Sequence, residues 1–355
     1  MLAVLVLWAG FAWVVFYDLR DLRHLLRLAR ATGRQARAQA PPTAASGHPS
    51  VDVVIPIYNM GDSVGETLTS IERSSYPSRQ VIVVDDGSTD GQTWPAVQAL
   101  GDRIDVLAQI DHGGKAAAAN HGAGLGQGDV LLFLDADSYV SEDFIERTLA
   151  VFDAHPEVGA IDYVQRVSNP KESFWTRQAT FERALLALRP DNFGALFAMR
   201  REIFERFPFR EGLSPQFDIN ARLRRAGLLR IDPQALVFSE EPRDLGLTFR
   251  RKRRWTYGFL EAQERQGHGL DYHLLVPFAD LAFLATLPLA LVWPALMPFA
   301  PLLYAVWTVK SLGLAKPLEL SRRDALGYGV YMTVVNAAVA AGTLAFMAKR
   351  QVVWR

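Results

Sequence analysis

The sequence contains no cysteine, and this absence excludes disulfide scaffolds, thiolate zinc sites, iron–sulfur clusters and cysteine nucleophiles. It also lacks an excess of either charge sign, because its 38 Lys and Arg residues balance its 38 Asp and Glu residues. A chain without net positive charge is a poor candidate for a protein that coats nucleic acid along its surface. We therefore expect no nucleic-acid partner.

Long uncharged runs are present at both ends of the chain. Residues 1–17 carry no charge, and at about 1.5 Å of helical rise per residue they nearly cross a bilayer core of roughly 30 Å. A cleaved signal peptide is the alternative, but it would begin with basic residues and end at a small-residue cleavage site. No basic residue precedes this run, so we predict a transmembrane helix at residues 1–17.

Basic residues dominate the segment after the first run. Six arginines recur there at three- and four-residue spacing, at Arg20, Arg23, Arg27, Arg30, Arg34 and Arg37. This pattern predicts a basic amphipathic helix on the cytoplasmic side, among anionic lipid headgroups. Residues 39–50 are rich in proline and glycine and are typical of a linker. Residues 18–50 thus form a basic helix and linker.

The C-terminal third is apolar again. Residues 274–309 are interrupted only by Asp280 and five prolines, and residues 325–348 are uncharged. We predict two or three transmembrane helices in residues 274–355, with buried helices of a soluble protein as the alternative. The positive-inside rule does not decide between three and four spans in total. The expected location is the inner (cytoplasmic) membrane, multi-pass, with the middle of the chain in the cytoplasm.

The middle of the chain, residues 51–249, alternates short β-branched runs with helical stretches. The runs VDVVIPIY, VIVVDDG, IDVLAQI, DVLLFLDADS and VGAIDYV are typical of strands buried on both faces of a mostly parallel sheet. Ser63 and Glu66 predict a capping box that opens one helix, and Ser141 predicts the start of another. We therefore predict a doubly wound α/β domain, with its ligand site at the carboxyl ends of the strands.

Polar side chains follow the first two strands. The first strand ends in Pro56, Tyr58 and Asn59, and the second ends in Asp85 and Asp86 before a Gly-Ser-Thr turn. Carboxylates at a strand end can accept hydrogen bonds from a base or ribose, and glycine permits a close backbone approach. An Asx-rich turn without a ligand is the alternative for the second motif.

The next two strand ends carry features suited to phosphate and to a cation. Lys115 follows two glycines at a helix start, where backbone N–H groups and the positive helix end face an anion. Asp135 and Asp137 are separated by one residue, so in an extended chain both carboxylates face one hard cation. Such a cation would stabilise a diphosphate leaving group.

Taken in order, the motifs IPIYN, VVDDGSTD, GGKAAAAN and LDAD resemble those of the family 2 glycosyltransferases with a GT-A fold. The similarity extends to the membrane-embedded polysaccharide synthases of the cellulose, hyaluronan and poly-N-acetylglucosamine type. The resemblance implies a uridine diphosphate (UDP) sugar donor and a Mg²⁺ or Mn²⁺ ion. It implies donor-binding roles for eight residues, Pro56, Tyr58, Asn59, Asp85, Asp86, Lys115, Asn120 and Asp135, and metal binding by Asp135 and Asp137.

The acceptor side departs from the family pattern. An acidic pair usually precedes the helix that continues as Leu-x-x-Arg-Leu, and its aspartate is the general base. Here Pro215 and Gln216 stand at those positions, and a glutamine amide cannot take up a proton at neutral pH. Asp218 is the candidate substitute. If Ser214 caps the helix, however, Asp218 lies about 200° around the helix axis from Gln216. Asp218 would then be a solvated charge on the helix surface and would not replace the base.

A second departure occurs in residues 250–273, which we predict to form an interfacial helix. Processive relatives carry Gln-x-x-Arg-Trp there, and this chain has Arg251 in place of the glutamine, followed by Arg254 and Trp255. Trp255 could stack on an acceptor sugar, and Arg254 could neutralise a diphosphate. Binding of this basic cluster to anionic membrane lipids is the alternative.

The motifs together predict an inverting membrane glycosyltransferase that moves a sugar from a UDP-sugar to a glycan or lipid-linked acceptor. The enzyme would be either a processive exopolysaccharide synthase or an enzyme that makes single transfers. Subunits of a polysaccharide synthase complex are candidate binding partners. The alternative is a catalytically impaired membrane subunit acting in assembly or nucleotide sensing. A transporter is a poor third interpretation, because Asp280 alone offers little polar pathway.

Overall fold

The computed structural model describes residues 8–12, 15–16, 49–74, 76–186, 197–212, 214–267, 275–289, 291–315 and 318–353. The chain divides into two compact units. The sheet unit comprises residues 39–168 and 189–240, and the helical unit comprises residues 1–38, 169–188 and 241–355. Most of the predicted N-terminal span, the whole basic helix and the linker up to residue 48 lie outside the described residues.

The sheet unit contains an eight-stranded sheet. Its strands are β1 (Val51–Ile57), β2 (Arg79–Asp85), β3 (Val106–Gln109), β4 (Val130–Phe133), β5 (Ser138–Val140), β6 (Ala160–Val167), β7 (Phe197–Arg200) and β8 (Leu229–Ser239). Their spatial order is β3-β2-β1-β4-β7-β6-β8-β5. The first four of these strands are parallel, β7 is antiparallel to both neighbours, and β6 and β8 are parallel. This arrangement confirms the predicted α/β class.

Helices cover both faces of this sheet. They are α1 (Gly61–Glu72), α2 (Thr93–Gln98), α3 (Lys115–Leu125), α4 (Phe144–Ala154), α6 (Arg201–Arg206) and α7 (Pro215–Arg225). On one face Ile55 of β1 packs with Val64 and Leu68 of α1. On the other face Val54 packs with Ala118 of α3. Because β1 is buried on both faces, each of its fully buried aliphatic side chains contributes about 1.5–3 kcal/mol.

The small residues of α3 allow it to lie unusually close to the sheet. A Cβ atom at Gly122 would lie 2.6 Å from Val54 Cγ1 and 3.0 Å from Val84 Cγ2. Neither distance leaves room for a methyl group. The alanine-rich motif after Lys115 therefore serves packing, and it places the first residue of α3 at the edge of the sheet.

The predicted capping box was wrong. Helix α1 begins at Gly61, two residues before Ser63, and no side chain of its N-cap residue accepts a hydrogen bond. The backbone N–H of Gly61 donates instead to the hydroxyl of Thr93, at 3.0 Å. Glu66 accepts a hydrogen bond from the hydroxyl of Tyr139. A long-range contact thus replaces the local cap.

A buried ion pair joins the start of β1 to α6. The carboxylate of Asp52 accepts from a guanidinium nitrogen of Arg201 at 2.5 Å and from the backbone N–H of Gly128 at 2.8 Å. Any Cβ atom at Gly126 or Gly128 would collide with Asp52. Because the Asp52 side chain is almost inaccessible, this pairing offsets the cost of burying its charge.

The helical unit consists of α5 (Phe174–Leu186), α8 (Leu245–Arg265), α9 (Leu275–Leu289), α10 (Phe299–Ala315) and α11 (Arg322–Val353). Phe11, Phe283 and Phe299 pack together in its core, with ring centroids 5.0–5.5 Å apart. Among the described helices, residues 322–349 of α11 alone are long and apolar enough to cross a membrane. The prediction of two or three spanning helices in residues 274–355 therefore stays a prediction.

Candidate functional site

The loops that carry the predicted motifs meet at one edge of the sheet. Strands β1, β2, β3 and β4 are adjacent and parallel, so their carboxyl ends lie side by side. The polar residues predicted from the sequence follow β1, β2 and β4, and Lys115 begins the helix after β3. This edge is where open α/β sheets bind ligands.

Asp86 holds the glycine turn that precedes α3. Its two carboxylate oxygens accept hydrogen bonds from the backbone N–H groups of Gly113 and Gly114, at 2.8 and 2.9 Å. His112 Nδ1 lies 3.0 Å from the same carboxylate. Gly114 has a φ of 85°, a conformation that favours glycine. Asp86 thus fixes the backbone from which Lys115 extends.

Asp85 is buried beside this turn and is fully engaged by protein groups. One carboxylate oxygen accepts from the Ser88 hydroxyl at 2.5 Å, and the other accepts from the Gln109 side-chain amide at 2.7 Å. Gln109 carries no local sequence signal beyond its place at the end of β3. The predicted contact of Asp85 and Asp86 with a nucleoside stays a prediction, since both carboxylates stabilise loops here.

Asn59 likewise organises a loop. Its side-chain oxygen accepts from the backbone N–H groups of Thr89 and Asp90, at 2.8 and 3.2 Å, and its own N–H donates to Ser88. Asn59 has a φ of 52°, which asparagine tolerates better than most residues. The turns after β1 and β2 are therefore locked to each other.

Tyr58 presents an aromatic surface at the same edge. Its ring is exposed and stacks on the ring of His112, with centroids 4.4 Å apart. His112 also lines an open cavity together with Gly87, Ser88, Gln109, Ile110 and Asp111. The stack could not be foreseen from the sequence, because the two rings follow different strands.

A second, narrower cavity contains the charged groups. Lys115 and Asp135 form an ion pair in its wall. The other lining residues are Pro56, Ala119, Phe133, Leu134, Phe209, Pro215 and Gln216. The structure thus brings Pro56, Lys115, Asp135 and Gln216 to one place, although β1, α3, β4 and α7 supply them separately.

Asn120 supports this cavity from behind. Its side-chain amide donates to the Phe209 carbonyl at 2.9 Å and accepts from the Phe209 N–H at 3.1 Å. These reciprocal bonds hold Phe209 in the cavity wall. Phe209 carries no local sequence signal, because it lies in the loop after α6.

The extended backbone predicted at Asp135 and Asp137 was wrong, because residues 135–138 form a turn in which the Ser138 N–H donates to the Asp135 carbonyl at 3.0 Å. Metal binding by the two carboxylates stays a prediction, and their chemistry suits a divalent cation that a ligand's phosphates complete. Mg²⁺ in proteins is commonly held by one or two carboxylates, with substrate phosphates and water filling the remaining positions. The described residues contain no cluster of three metal-ligating side chains. Asp137 is half-buried, and its charge, with those of Glu66 and Glu240, adds to burial in raising the pKa of Tyr139.

Helix α7 places Gln216 and Asp218 differently. The helix begins at Pro215 after the N-cap residue Ser214, which meets the condition considered in the sequence. Gln216 lines the narrow cavity, whereas Asp218 is buried and accepts a hydrogen bond from Arg222 Nε at 2.8 Å. Asp218 is neither solvated nor among the described residues that line the cavity. Its predicted role as a substitute base stays a prediction that this position does not favour.

Arg254 and Trp255 lie on α8 in the helical unit. Arg254 is exposed, and three cations lie within 5 Å of the Trp255 ring centroid: Arg183, Arg251 and Lys252. Such cation–π contacts stabilise the ring position. The predicted roles of Arg254 and Trp255 toward an acceptor or diphosphate stay predictions.

Glu241 is a buried anion among these cations, of which Lys252 pairs with Glu182. Its carboxylate pairs with Arg183 at 2.7 Å and lies 3.6 Å from Arg251. Burial alone would raise the pKa of Glu241, but Arg183, Arg251 and Lys252 together lower it to about 2. The network therefore depends on Glu241 being ionised.

Comparison with known proteins identifies the pattern. The family model "Glycosyl transferase family 2" matches residues 52–207. The family model "Glycosyl transferase family group 2" matches residues 130–316, which is more than half of the chain. The mannosyltransferase PcManGT of Pyrobaculum calidifontis, solved with GDP-Man and Mn²⁺, has a similar fold with a TM-score of 0.61. The two sequences are 20% identical, and the alignment covers 96% of this chain and 99% of that chain.

Curated relatives match shorter segments. The glycosyltransferase GlyG of Streptococcus pneumoniae is 38% identical over 98 residues, 27% of this chain and 33% of that protein. The beta-monoglucosyldiacylglycerol synthase of Synechocystis sp. is 29% identical over 187 residues, 50% of this chain and 39% of that protein. The chain thus spans between a third and two fifths of the length of these two relatives.

Proposed function

The chain belongs to glycosyltransferase family 2, and on that premise we propose that it transfers a sugar from a UDP-sugar to a glycan or lipid-linked acceptor. The observation that carries this proposal is the cavity in which Lys115, Asp135 and Gln216 converge beside the glycine turn held by Asp86. A cation and a carboxylate at the carboxyl edge of a parallel sheet suit a nucleoside diphosphate and its counter-ion.

Each part of the edge suits one part of the donor. The open cavity beside Tyr58 and His112 offers a stacked aromatic pair and backbone groups to a nucleoside. Lys115, in the narrow cavity, is placed to neutralise the diphosphate. Asp135 and Asp137 would hold Mg²⁺ or Mn²⁺, which would stabilise the departing diphosphate. Solvent is limited in the narrow cavity because Phe133, Leu134 and Phe209 line it.

The reaction we propose is a single displacement with inversion. The acceptor oxygen attacks the anomeric carbon from the face opposite the diphosphate, and the bond to the diphosphate breaks. Lys115 stabilises the charge that develops on the leaving group. Membership of the family favours such turnover over the alternative of an impaired subunit.

We also propose that the enzyme is attached to the inner membrane. Support comes from α11, whose residues 322–349 are long and apolar enough to cross a bilayer, and from the apolar helices Val276–Thr286 and Phe299–Ala315. The uncharged run at residues 1–17 adds to this support. A membrane location would bring the sheet unit within reach of lipid-linked acceptors. Processive and single transfer both fit this arrangement.

The test uses the full chain in membranes and after detergent extraction, with a panel of UDP-sugars, GDP-mannose, and Mg²⁺ or Mn²⁺. We expect one UDP-sugar to be consumed, and product length separates a processive synthase from an enzyme of single transfers. Lys115→Met should lower kcat/KM about a hundredfold, because it removes charge stabilisation of roughly 3 kcal/mol. Asp102→Asn, an exposed change, is the control. Failure to bind or consume any UDP-sugar would refute the proposal.

A further inference from the structure

We infer that the acceptor attacks through an oxygen that is already ionised, as in a phosphate monoester, and not through a hydroxyl group. This inference rests on the proposed transfer and specifies its acceptor. It starts from Gln216, which lines the narrow cavity and stands where the family pattern places an aspartate base.

A hydroxyl acceptor needs a base, because its proton must leave as the new glycosidic bond forms. Gln216 is the second residue of α7 and lines the cavity with Lys115 and Asp135. Its amide donates and accepts hydrogen bonds but takes up no proton at neutral pH. Two amide N–H groups suit an anionic oxygen, whereas a carboxylate in the same place would repel it.

Neither nearby carboxylate is placed to act as a base in the cavity. Asp135 is the single acidic side chain among the described residues that line the cavity, and it is ion-paired with Lys115. Asp218 lies two residues after Gln216 and is ion-paired with Arg222 through one oxygen, while its other oxygen accepts no hydrogen bond from the described residues. The Asp218 side chain is buried and lies outside the cavity lining, so it does not meet an incoming hydroxyl.

Two guanidinium groups, in contrast, lie beside this wall. Arg210 is exposed and directly follows Phe209, which lines the cavity. Arg222 donates to the Pro208 carbonyl, so its guanidinium lies against the same loop. Burial lowers the pKa of Arg222, and the positive charge of Arg210 lowers it further. The two guanidinium groups are therefore close enough to repel each other.

Glu211 directly follows Arg210, so the two guanidinium groups of this region are balanced by two carboxylates. Asp218 pairs with Arg222, and Arg210 presents an exposed guanidinium that an anionic ligand could approach. A phosphate monoester carries most of its second negative charge at pH 7, because its second pKa is about 6. Arginine side chains would attract such a phosphate by its charge, whereas they would not attract a neutral alcohol in this way.

The step balances without a base. One phosphate oxygen of the acceptor forms a bond to the anomeric carbon, the bond from that carbon to the donor diphosphate breaks, and its electron pair leaves with the nucleoside diphosphate. No proton moves at neutral pH. The product is a glycosyl phosphodiester, which mild acid cleaves, whereas an ordinary glycoside survives that treatment.

The experiment compares matched acceptors with the full chain in detergent and the UDP-sugar that it consumes. Decyl phosphate and decanol test a lipid source, and glycerol 3-phosphate and glycerol test a soluble source. We expect one of the phosphates to be at least a hundredfold better than its alcohol, with a rate that rises through pH 6 and an acid-labile product. The better phosphate identifies the source.

Two variants sharpen the comparison. Gln216→Asp should lower transfer to the phosphate tenfold or more and raise transfer to the alcohol or leave it unchanged, because it adds both a negative charge and a base. Gln127→Asp makes the same change at an exposed position and should match the unchanged enzyme. Equal or faster transfer to the alcohols, or faster transfer to both acceptors by Gln216→Asp, would overturn the inference.

Donor binding, measured separately by calorimetry with UDP, keeps the two proposals apart. A chain that binds no donor refutes the proposed function. A chain that binds the donor and glycosylates only alcohols keeps the proposed function and refutes the ionised acceptor.

Discussion

Asp86→Asn should loosen the glycine turn and weaken donor binding. In the native chain both carboxylate oxygens accept backbone N–H groups, at 2.8 and 2.9 Å, and the side chain is 2% exposed. Asparagine keeps one acceptor oxygen and turns an amide N–H₂ toward the second backbone N–H. Losing a hydrogen bond to a charged group and leaving a buried N–H unpaired costs about 3 kcal/mol.

Amide hydrogen exchange measures this cost locally. If the turn loses about 3 kcal/mol of local stability in Asp86→Asn, the backbone amides of residues 112–118 should exchange roughly a hundredfold faster. We expect the Kd for UDP to rise about tenfold, since Lys115 extends from the same turn. Asp102→Asn is the control, because it makes the same chemical change at an exposed position. If Asp86→Asn matched this control in both measurements, Asp86 would not hold the turn and our reasoning would be refuted.

Three further variants test the packing and the charges. Gly122→Ala should lower the free energy of unfolding by about 1–3 kcal/mol, because its methyl group would meet Val54 and Val84, whereas Gly124→Ala, which meets open space, should raise it by about 0.5–1 kcal/mol; thermal unfolding of the pair checks both signs. The lowered pKa of Glu241, about 2 against a usual 4.5, predicts stability that is present above pH 4.5 and lost as pH falls toward 2, by about 3 kcal/mol. Glu241→Gln should flatten this acid dependence, and a profile parallel to that of the unchanged chain between pH 5 and 2 would contradict the assignment.

Most strands could be predicted from the sequence, whereas their order in the sheet could not. The runs around β1, β2 and β4 were recognisable because strands buried on both faces are apolar throughout. β3 is only partly buried, since it lies at the edge of the sheet. No local pattern could predict that β7 inserts between β4 and β6, because that order is set by pairings between distant segments.

The candidate site residues could be chosen from the sequence by their type, but several of their contacts could not. Gln216 and Lys115 lie in one cavity. Asn59, Asp86 and Asn120 instead bind backbone groups of neighbouring loops. A motif records that a polar side chain is needed at a position, whereas its partner depends on segments that come together only in the fold. The start of α1 failed for the same reason, since a distant hydroxyl caps it.

The ion pair between Asp52 and Arg201 has a consequence for biosynthesis. The two residues are separated by 149 positions, yet the aspartate lies at the very start of the first strand. Until the nascent chain has reached residue 201, the Asp52 carboxylate has no guanidinium to meet it, and desolvating it would cost several kcal/mol. We therefore expect the start of the first strand to stay solvated until the ribosome has delivered the arginine.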